Sequence, residues 1–286
     1  MPLSQITHFI LVGLPYPPEL QVPLFLFFLL IYLLTLCGNL LILLAVVRER
    51  RLHKPMYWFL CGGRLPVGRR AISFHGCVAQ LFFFHFLGCT ECFLYTVMAY
   101  DRFLAICKPL RYSVIMNRRA CLCLAAGTWL GGSLHSLIET ALTFRLPYGR
   151  DTQVGYIFCD IPAVLKLACG DTALNELVTF IDVGFVAMTC FLLILTSYVY
   201  IISAILRIRS AEGRRRAFST CVAHITVVVT YYVPLVFIYL RPGSQHPVDR
   251  VVGVFYTTVT PLLNPLIYTL RNKEMKAALM RLGVAH

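Results

Sequence analysis

Long apolar runs separated by short polar breaks organise the chain. They fall at about 22–47, 78–106, 120–142, 174–206, 217–240 and 251–270. Each reaches the ~20 residues that a helix needs to cross ~30 Å of hydrocarbon, at about 1.5 Å of rise per residue. A backbone in lipid must satisfy its own hydrogen bonds, so the pattern predicts six clear spans and an all-α membrane protein. The one long polar break is 143–172. A seventh candidate, 55–76, starts with five apolar residues, Met56 to Leu60, and then meets Gly62, Gly63, Arg64, Pro66 and Gly68. Its length permits a crossing, since 22 helical residues reach ~33 Å. Its chemistry opposes one: Arg64 near the middle costs ~2.5–3.5 kcal/mol, each glycine ~1 and the interior proline ~3. This span is expected to be truncated and defective.

Composition agrees with a membrane domain. A mean hydropathy of +0.74, with 58% hydrophobic and 14% charged residues over 286 positions, does not describe a soluble domain. In a soluble protein the net charge of +13 would point to nucleic acid. Here the basic residues lie in runs between apolar segments, which suits a lipid bilayer as partner and leaves no nucleic-acid role. Arg48, Arg50, Arg51 and Lys54 follow the first run, and Arg102, Lys108, Arg111, Arg118 and Arg119 follow the second. Arg207, Arg209, Arg214, Arg215 and Arg216 follow the fourth, and Arg271, Lys273, Lys276 and Arg281 follow the last. Positive residues favour the cytoplasmic side. Returning from Lys54 to Arg102 on that side takes two crossings, and 78–106 supplies one. Parity therefore demands that 55–76 cross as well, which gives seven spans with the N-terminus outside and the C-terminus cytoplasmic.

Little points to catalysis or metal chemistry. Of the twelve cysteines, Cys37, Cys89, Cys92, Cys107, Cys190 and Cys221 sit inside apolar runs, where cysteine acts as a small hydrophobe. Cys89 and Cys92 form a CxxC with no second pair, so no metal site is expected. Cys77, Cys159 and Cys169 lie at or outside span ends, where an oxidising lumen can pair them. An inverted repeat, HExxH and GxSxG are all missing, which weighs against a six-span transporter or an intramembrane enzyme. No cofactor is implied. The first 20 residues lack a basic n-region, so the first run is expected to act as an uncleaved signal anchor.

Motifs in the well-formed runs are specific. Met98-Ala-Tyr-Asp-Arg-Phe-Leu-Ala-Ile-Cys107 resembles the MAYDRYVAIC signature of vertebrate olfactory receptors. Leu52-His-Lys-Pro-Met-Tyr-Trp-Phe-Leu60 resembles LHxPMYxFL, Arg216-Ala-Phe-Ser-Thr-Cys221 followed by His224 resembles KAFSTC, and Pro261-Leu-Leu-Asn-Pro-Leu-Ile-Tyr268 resembles PMLNPxIY. Gly38-Asn39 and Ser197-Tyr198 also fit. The resemblance runs in order over nearly the whole chain. It implies a rhodopsin-like, seven-helix G-protein-coupled receptor that detects small volatile odorants and activates a stimulatory heterotrimeric G protein. Asp101, Arg102, Tyr198, Asn264, Pro265 and Tyr268 would form the coupling and activation switch, although Arg102 by itself also reads as a positive-inside anchor. Segment 271–282 would be a short amphipathic helix on the inner membrane surface.

The resemblance further implies a pocket among the outer halves of the third, fifth, sixth and seventh spans. Mapped here, its candidates are His85, Gly88, Cys89, Thr179, Asp182, Val183, Val186, Tyr232, Leu235, Val236, Tyr239 and Thr257. His85 and Asp182 stand out because ionisable groups in a span face a cavity or a partner. Structural pairing within the bundle is the competing reading for both, as aromatic core is for Tyr232 and Tyr239. Cys77 and Cys159 match the family disulfide that tethers the long loop over the pocket. Cys169 matches a loop cysteine whose partner is replaced in Leu146-Pro-Tyr-Gly149, so a free thiol is expected.

Departures from the family concentrate in one place. About 20 residues are missing between the Leu52–Leu60 motif and Cys77, including the LSxxD stretch of the second span. Glu91, the third-span carboxylate that would share an ion site with that aspartate, is left an orphan. None of Asn39, Asn117, Asn175, Asn264 or Asn272 starts an Asn-x-Ser/Thr sequon, and the extreme N-terminus is expected to be shortened. Two functional readings result: a multi-pass plasma-membrane odorant receptor, or a receptor-derived product that is retained in the endoplasmic reticulum or does not signal.

Overall fold

The computed structural model describes residues 7–12, 17–48, 70–149, 152–239, 248, 251–255, 257–258 and 260–263. Five helices are long and apolar enough to cross a membrane: α1 (Gln21–Arg48), α2 (Phe74–Cys107), α4 (Arg118–Phe144), α6 (Ala173–Leu206) and α7 (Ala211–Tyr239). A shorter apolar helical stretch follows at Val251–Leu263. Six expected runs thus appear as helix, the last within its described part. The fifteen residues 55–69 of the weak segment, together with Asn264, Pro265, Tyr268 and 271–282, lie outside the described residues. Two short helices complete the set, α3 (Tyr112–Ile115) after α2 and α5 (Ile161–Leu165) in the long loop.

Several of the helices start where a polar side chain caps free backbone N–H groups. Ser73 accepts from Gly76 N–H (3.1 Å) at α2, Asn117 from Ala120 N–H (3.0 Å) at α4 and Asp160 from Ile161 N–H (2.9 Å) at α5. At 34 residues each, α2 and α6 extend about 51 Å, well beyond the hydrocarbon thickness. The central helix is α2, which packs chiefly against α4 and α6. It meets α4 closely: a Cβ on Gly132 would collide with Thr90 Oγ1 and press on the Phe86 carbonyl, so glycine there lets the two backbones approach. Ser136 ties the same pair by donating to the Phe82 carbonyl (2.5 Å). Pro234 lies inside α7 and removes one backbone donor from it.

Hydropathy did not predict the small sheet at one end of the bundle. Strands β1 (His8–Leu11), β2 (Arg70–Ser73) and β3 (Gln153–Val154) form it in the order β2-β1-β3. β1 runs antiparallel to β2, with His8 opposite Ser73 and Leu11 opposite Arg70, and parallel to β3. The strand period of two turns Phe9 and Leu11 inward. Phe9 is fully buried and stacks on Phe74 at 6.0 Å. The end of the weak segment is thereby corrected: residues 70–73 are strand rather than span, and α2 begins at Phe74, four residues before the expected third span.

Two apolar cores follow. One lies beneath the sheet, around Phe9, Phe28, Cys77, Leu81, Val154 and Ile161. The other runs between α2, α6 and α7, around Tyr95, Ala99, Cys190, Ile201 and Tyr231. Phe28 anchors the start of α1 at the sheet, and Arg48 lies 20 residues, about 30 Å of helix, further on. Arg70 is back at the sheet, paired with Leu11.

Candidate functional site

Four helices enclose a cavity towards the sheet end. Residues three and four apart share a helix face, so Phe84, His85, Gly88, Cys89 and Cys92 of α2 make one continuous wall. His135 of α4, Val183, Val186 and Ala187 of α6, and Tyr231 and Leu235 of α7 complete it. The space among them is partly open to the exterior. The wall is largely apolar with a few polar groups, the usual character of a small-molecule site.

The long loop is fastened to the same face of α2 that lines the cavity. Cys77 and Cys159 are joined in a disulfide with Cα atoms 5.5 Å apart. Cys159 N–H donates to Gln80 Oε1 (3.0 Å), and His85 Nε2 lies 3.1 Å from Asp160 Oδ1. Both His85 and Asp160 are buried, so each supplies the polar partner the other needs. The Phe84 and Phe158 rings sit 4.5 Å apart. Within the loop, Tyr148 donates to the Thr143 carbonyl (2.8 Å), and burial pushes its phenol pKa up.

A second polar cluster stands at the α4–α6 wall. His135 Nδ1 is 2.7 Å from Asp182 Oδ2. Thr179 Oγ1 donates to Glu139 Oε2 (2.8 Å), and Glu139 is fully buried. Among the described residues, no three His, Cys, Asp or Glu side chains converge as metal ligands.

Of the expected pocket residues, His85, Gly88, Cys89, Val183, Val186 and Leu235 line the cavity. Thr179 and Asp182 stand behind it, engaged by Glu139 and His135. Tyr232 is buried with its hydroxyl 3.0 Å from Cys92 Sγ. Val236 is 47% exposed and faces away from the bundle. Thr257 turns its hydroxyl back to the Gly253 and Val254 carbonyls, and the Tyr239 side chain is outside the described set. Sequence reasoning missed Phe84, Cys92, His135, Ala187, Tyr231 and Glu139. His135 and Glu139, one turn apart in an apolar run, were detectable as ionisable groups in a span. The others follow by helical period from neighbours already named.

At the opposite end of α2, Arg102 Nε is 3.8 Å from Asp101 Oδ2. Tyr112 donates to Asp101 Oδ1 (2.7 Å), and burial followed by the Asp101 carboxylate raises the phenol's pKa. Tyr198 is buried, its hydroxyl 2.8 Å from His224 Nδ1, and His224 Nε2 is 3.1 Å from the Tyr95 carbonyl oxygen. Neutral His224 has one N–H, which suits donation to that carbonyl while Nδ1 accepts from Tyr198. Glu91 is half-buried and hydrogen-bonded to Tyr95. Cys169 is a free, exposed thiol.

Comparison with known proteins supplies the remaining findings. The family model described as Olfactory receptor matches residues 61–285. Human olfactory receptor 10G6 is 64% identical over 298 positions, covering 98% of this chain and 90% of the relative. Human olfactory receptor 10G9 is 56% identical over 304 positions (99% and 97%), and mouse olfactory receptor 10D1B is 54% identical over 298 (97% and 94%). A 304-position alignment cannot be filled by 286 residues, so at least 18 positions of that relative face a gap in this chain.

Proposed function

The chain belongs to the olfactory receptor family of G-protein-coupled receptors, and from that premise we propose that its cavity binds a small volatile odorant and its basic end activates a stimulatory G protein. The observation that carries this reading is that one helix serves both ends. α2 forms the largest wall of the cavity and ends in Asp101 and Arg102. A ligand that favours one packing of α2 against α6 and α7 biases the contacts of Arg102 through the same rigid element. Tyr198, hydrogen-bonded to His224 across the α6–α7 seam, is the polar group such a shift would rearrange. Asn264, Pro265 and Tyr268, outside the described residues, would take the corresponding part in the last span, since a proline within a helix leaves a backbone carbonyl without its usual donor.

In this reading the protein sits in the plasma membrane with its N-terminus outside and its C-terminus cytoplasmic. His85 orients the odorant, and the loop held by Cys77–Cys159 limits its escape. The test is odorant-evoked cyclic AMP from the expressed chain. Response to at least one member of a broad odorant panel, lost on Arg102→Ala, is expected. A flat response from chains that do reach the surface overturns the signalling role.

A second reading is favoured by the gap: the chain is a receptor-derived product that is retained or does not signal. At least 18 positions of a relative are missing, close to one span, and residues 70–73 are strand. Epitope accessibility on intact cells separates the two. Termini on opposite faces support seven crossings, and termini on one face support the retained product.

A further inference from the structure

We propose that His135 of α4 binds the odorant through Nε2 acting as a hydrogen-bond acceptor, so that the ligand carries a hydroxyl group; the inference rests on the odorant-binding reading. His135 lines the cavity, and its side chain is only 9% exposed. Asp182 Oδ2 lies 2.7 Å from Nδ1, a close contact although not an aligned hydrogen bond. Nε2, on the other edge of the ring, has no hydrogen-bond partner among the described residues. Buried polar atoms are satisfied as a rule, and a few such groups orient the ligand in an apolar site. The other polar groups of the wall are already engaged. His85 Nε2 lies against Asp160, the Tyr231 hydroxyl donates to the Gly88 carbonyl (2.6 Å), and Cys92 Sγ is 3.0 Å from the Tyr232 hydroxyl. Cys89 offers a thiol, a weak partner.

The contact with Asp182 selects the ligand class. The neutral imidazole, the form that burial favours, has one N–H and one bare nitrogen. A bare nitrogen 2.7 Å from a carboxylate oxygen would set two lone pairs against each other, so the proton belongs on Nδ1. Nε2 is then an acceptor. A hydroxyl on the ligand donates to it. A ketone or ether oxygen has no proton to give and leaves Nε2 unpaired once the ligand has displaced water. Asp182 is thus a positioning residue: from α6, behind the cavity, it fixes which ring nitrogen carries the proton on α4. Phe84, Val183, Val186 and Leu235 accept the apolar body of the alcohol.

The experiment uses the full chain purified in detergent at pH 7, with thermal unfolding as the readout. The probes are matched cyclic alcohols and ketones, led by cyclohexanol and cyclohexanone. Within a pair that binds, the alcohol is expected to raise the midpoint at a concentration at least tenfold below that needed for the ketone. His135→Leu should bring the two to equal potency, which a general loosening of the bundle would not do, since it weakens both alike. Asp182→Asn is the parallel variant should His135→Leu not fold. Its amide can donate to Nδ1 and move the ring proton to Nε2, so the preference should swing towards the ketone. Equal potency on the parent chain, or a preference for the alcohol that survives both substitutions, overturns the proposal. If ketones bind and alcohols do not, the hydroxyl inference fails and the odorant reading stands. If no probe and no odorant shifts the midpoint, the odorant reading fails and takes the inference with it.

Discussion

A Cβ built on Gly149 would fall on the sulfur of Cys169. The two positions are neighbours because Tyr148 and Ala168 form an antiparallel bridge and Cys169 N–H donates to the Pro147 carbonyl (2.8 Å). A cysteine at 149 would place its Cβ 3.9 Å from the Cys169 Cβ, within the disulfide range once the Cys169 sulfur turns aside. Gly149→Cys should form a second loop disulfide, closing about 20 residues and adding up to roughly 3 kcal/mol of stability. Maleimide labelling of Cys169 on the folded protein should then fall to background and return after reduction. Labelling that stays at the starting level would show that the loop cannot bring the two together. The same scale explains why His85 was read correctly as special yet its first duty was not. Its position in a span marked it as cavity-facing or paired, and it proves to be both, because its partner Asp160 lies 75 residues away, capping a loop helix. A single sequence does not show which loop turns back onto which span.

Among the elements, α2 and α4 are fitted most tightly, and Gly132 is the point of contact. Its surroundings are the Thr90 hydroxyl, the Phe86 carbonyl and the Thr90 N–H, two of which are backbone and cannot yield. Gly132→Leu should push the helices apart, breaking the Ser136–Phe82 hydrogen bond beside it. Overpacking of this kind costs about 1–3 kcal/mol, to be read as a lowered unfolding midpoint in detergent and a weaker odorant response. A variant that melts like the parent would mean α4 is free to slide. The helices themselves were legible because apolar runs of 20 or more residues have few alternatives in lipid. The sheet was not. Its strands are four, four and two residues, too short for alternation to register, and they come from three distant parts of the chain. Residues 70–73 become a strand because β1 supplies an unpaired edge beside them, a tertiary cause.

For the whole molecule, connectivity and charge bear on the proposal that the weak segment crosses the bilayer. α1 starts at the sheet, anchored by Phe28, and Arg48 lies about 30 Å of helix beyond it, whereas Arg70 is back at the sheet. Under the positive-inside rule Arg48 and Arg102 would share one side. A return across the bilayer between Arg48 and Arg70 would fall to residues 49–69, whose sequence carries Arg64, Pro66 and three glycines. Among the described residues, Asn39 Oδ1 is buried without a hydrogen bond, and Glu91 is hydrogen-bonded to Tyr95. Replacing residues 61–69 with an apolar helical insert of about 25–30 residues, carrying one aspartate at the depth of Glu91, should supply both the crossing and the partner. Surface display of an N-terminal epitope, measured by flow cytometry on intact cells, should rise at least threefold. The same insert with asparagine in place of the aspartate should rise less, since it restores length without the carboxylate. If neither insert changes display, the weak segment does not limit it, and the cause has to be sought in the bundle already described.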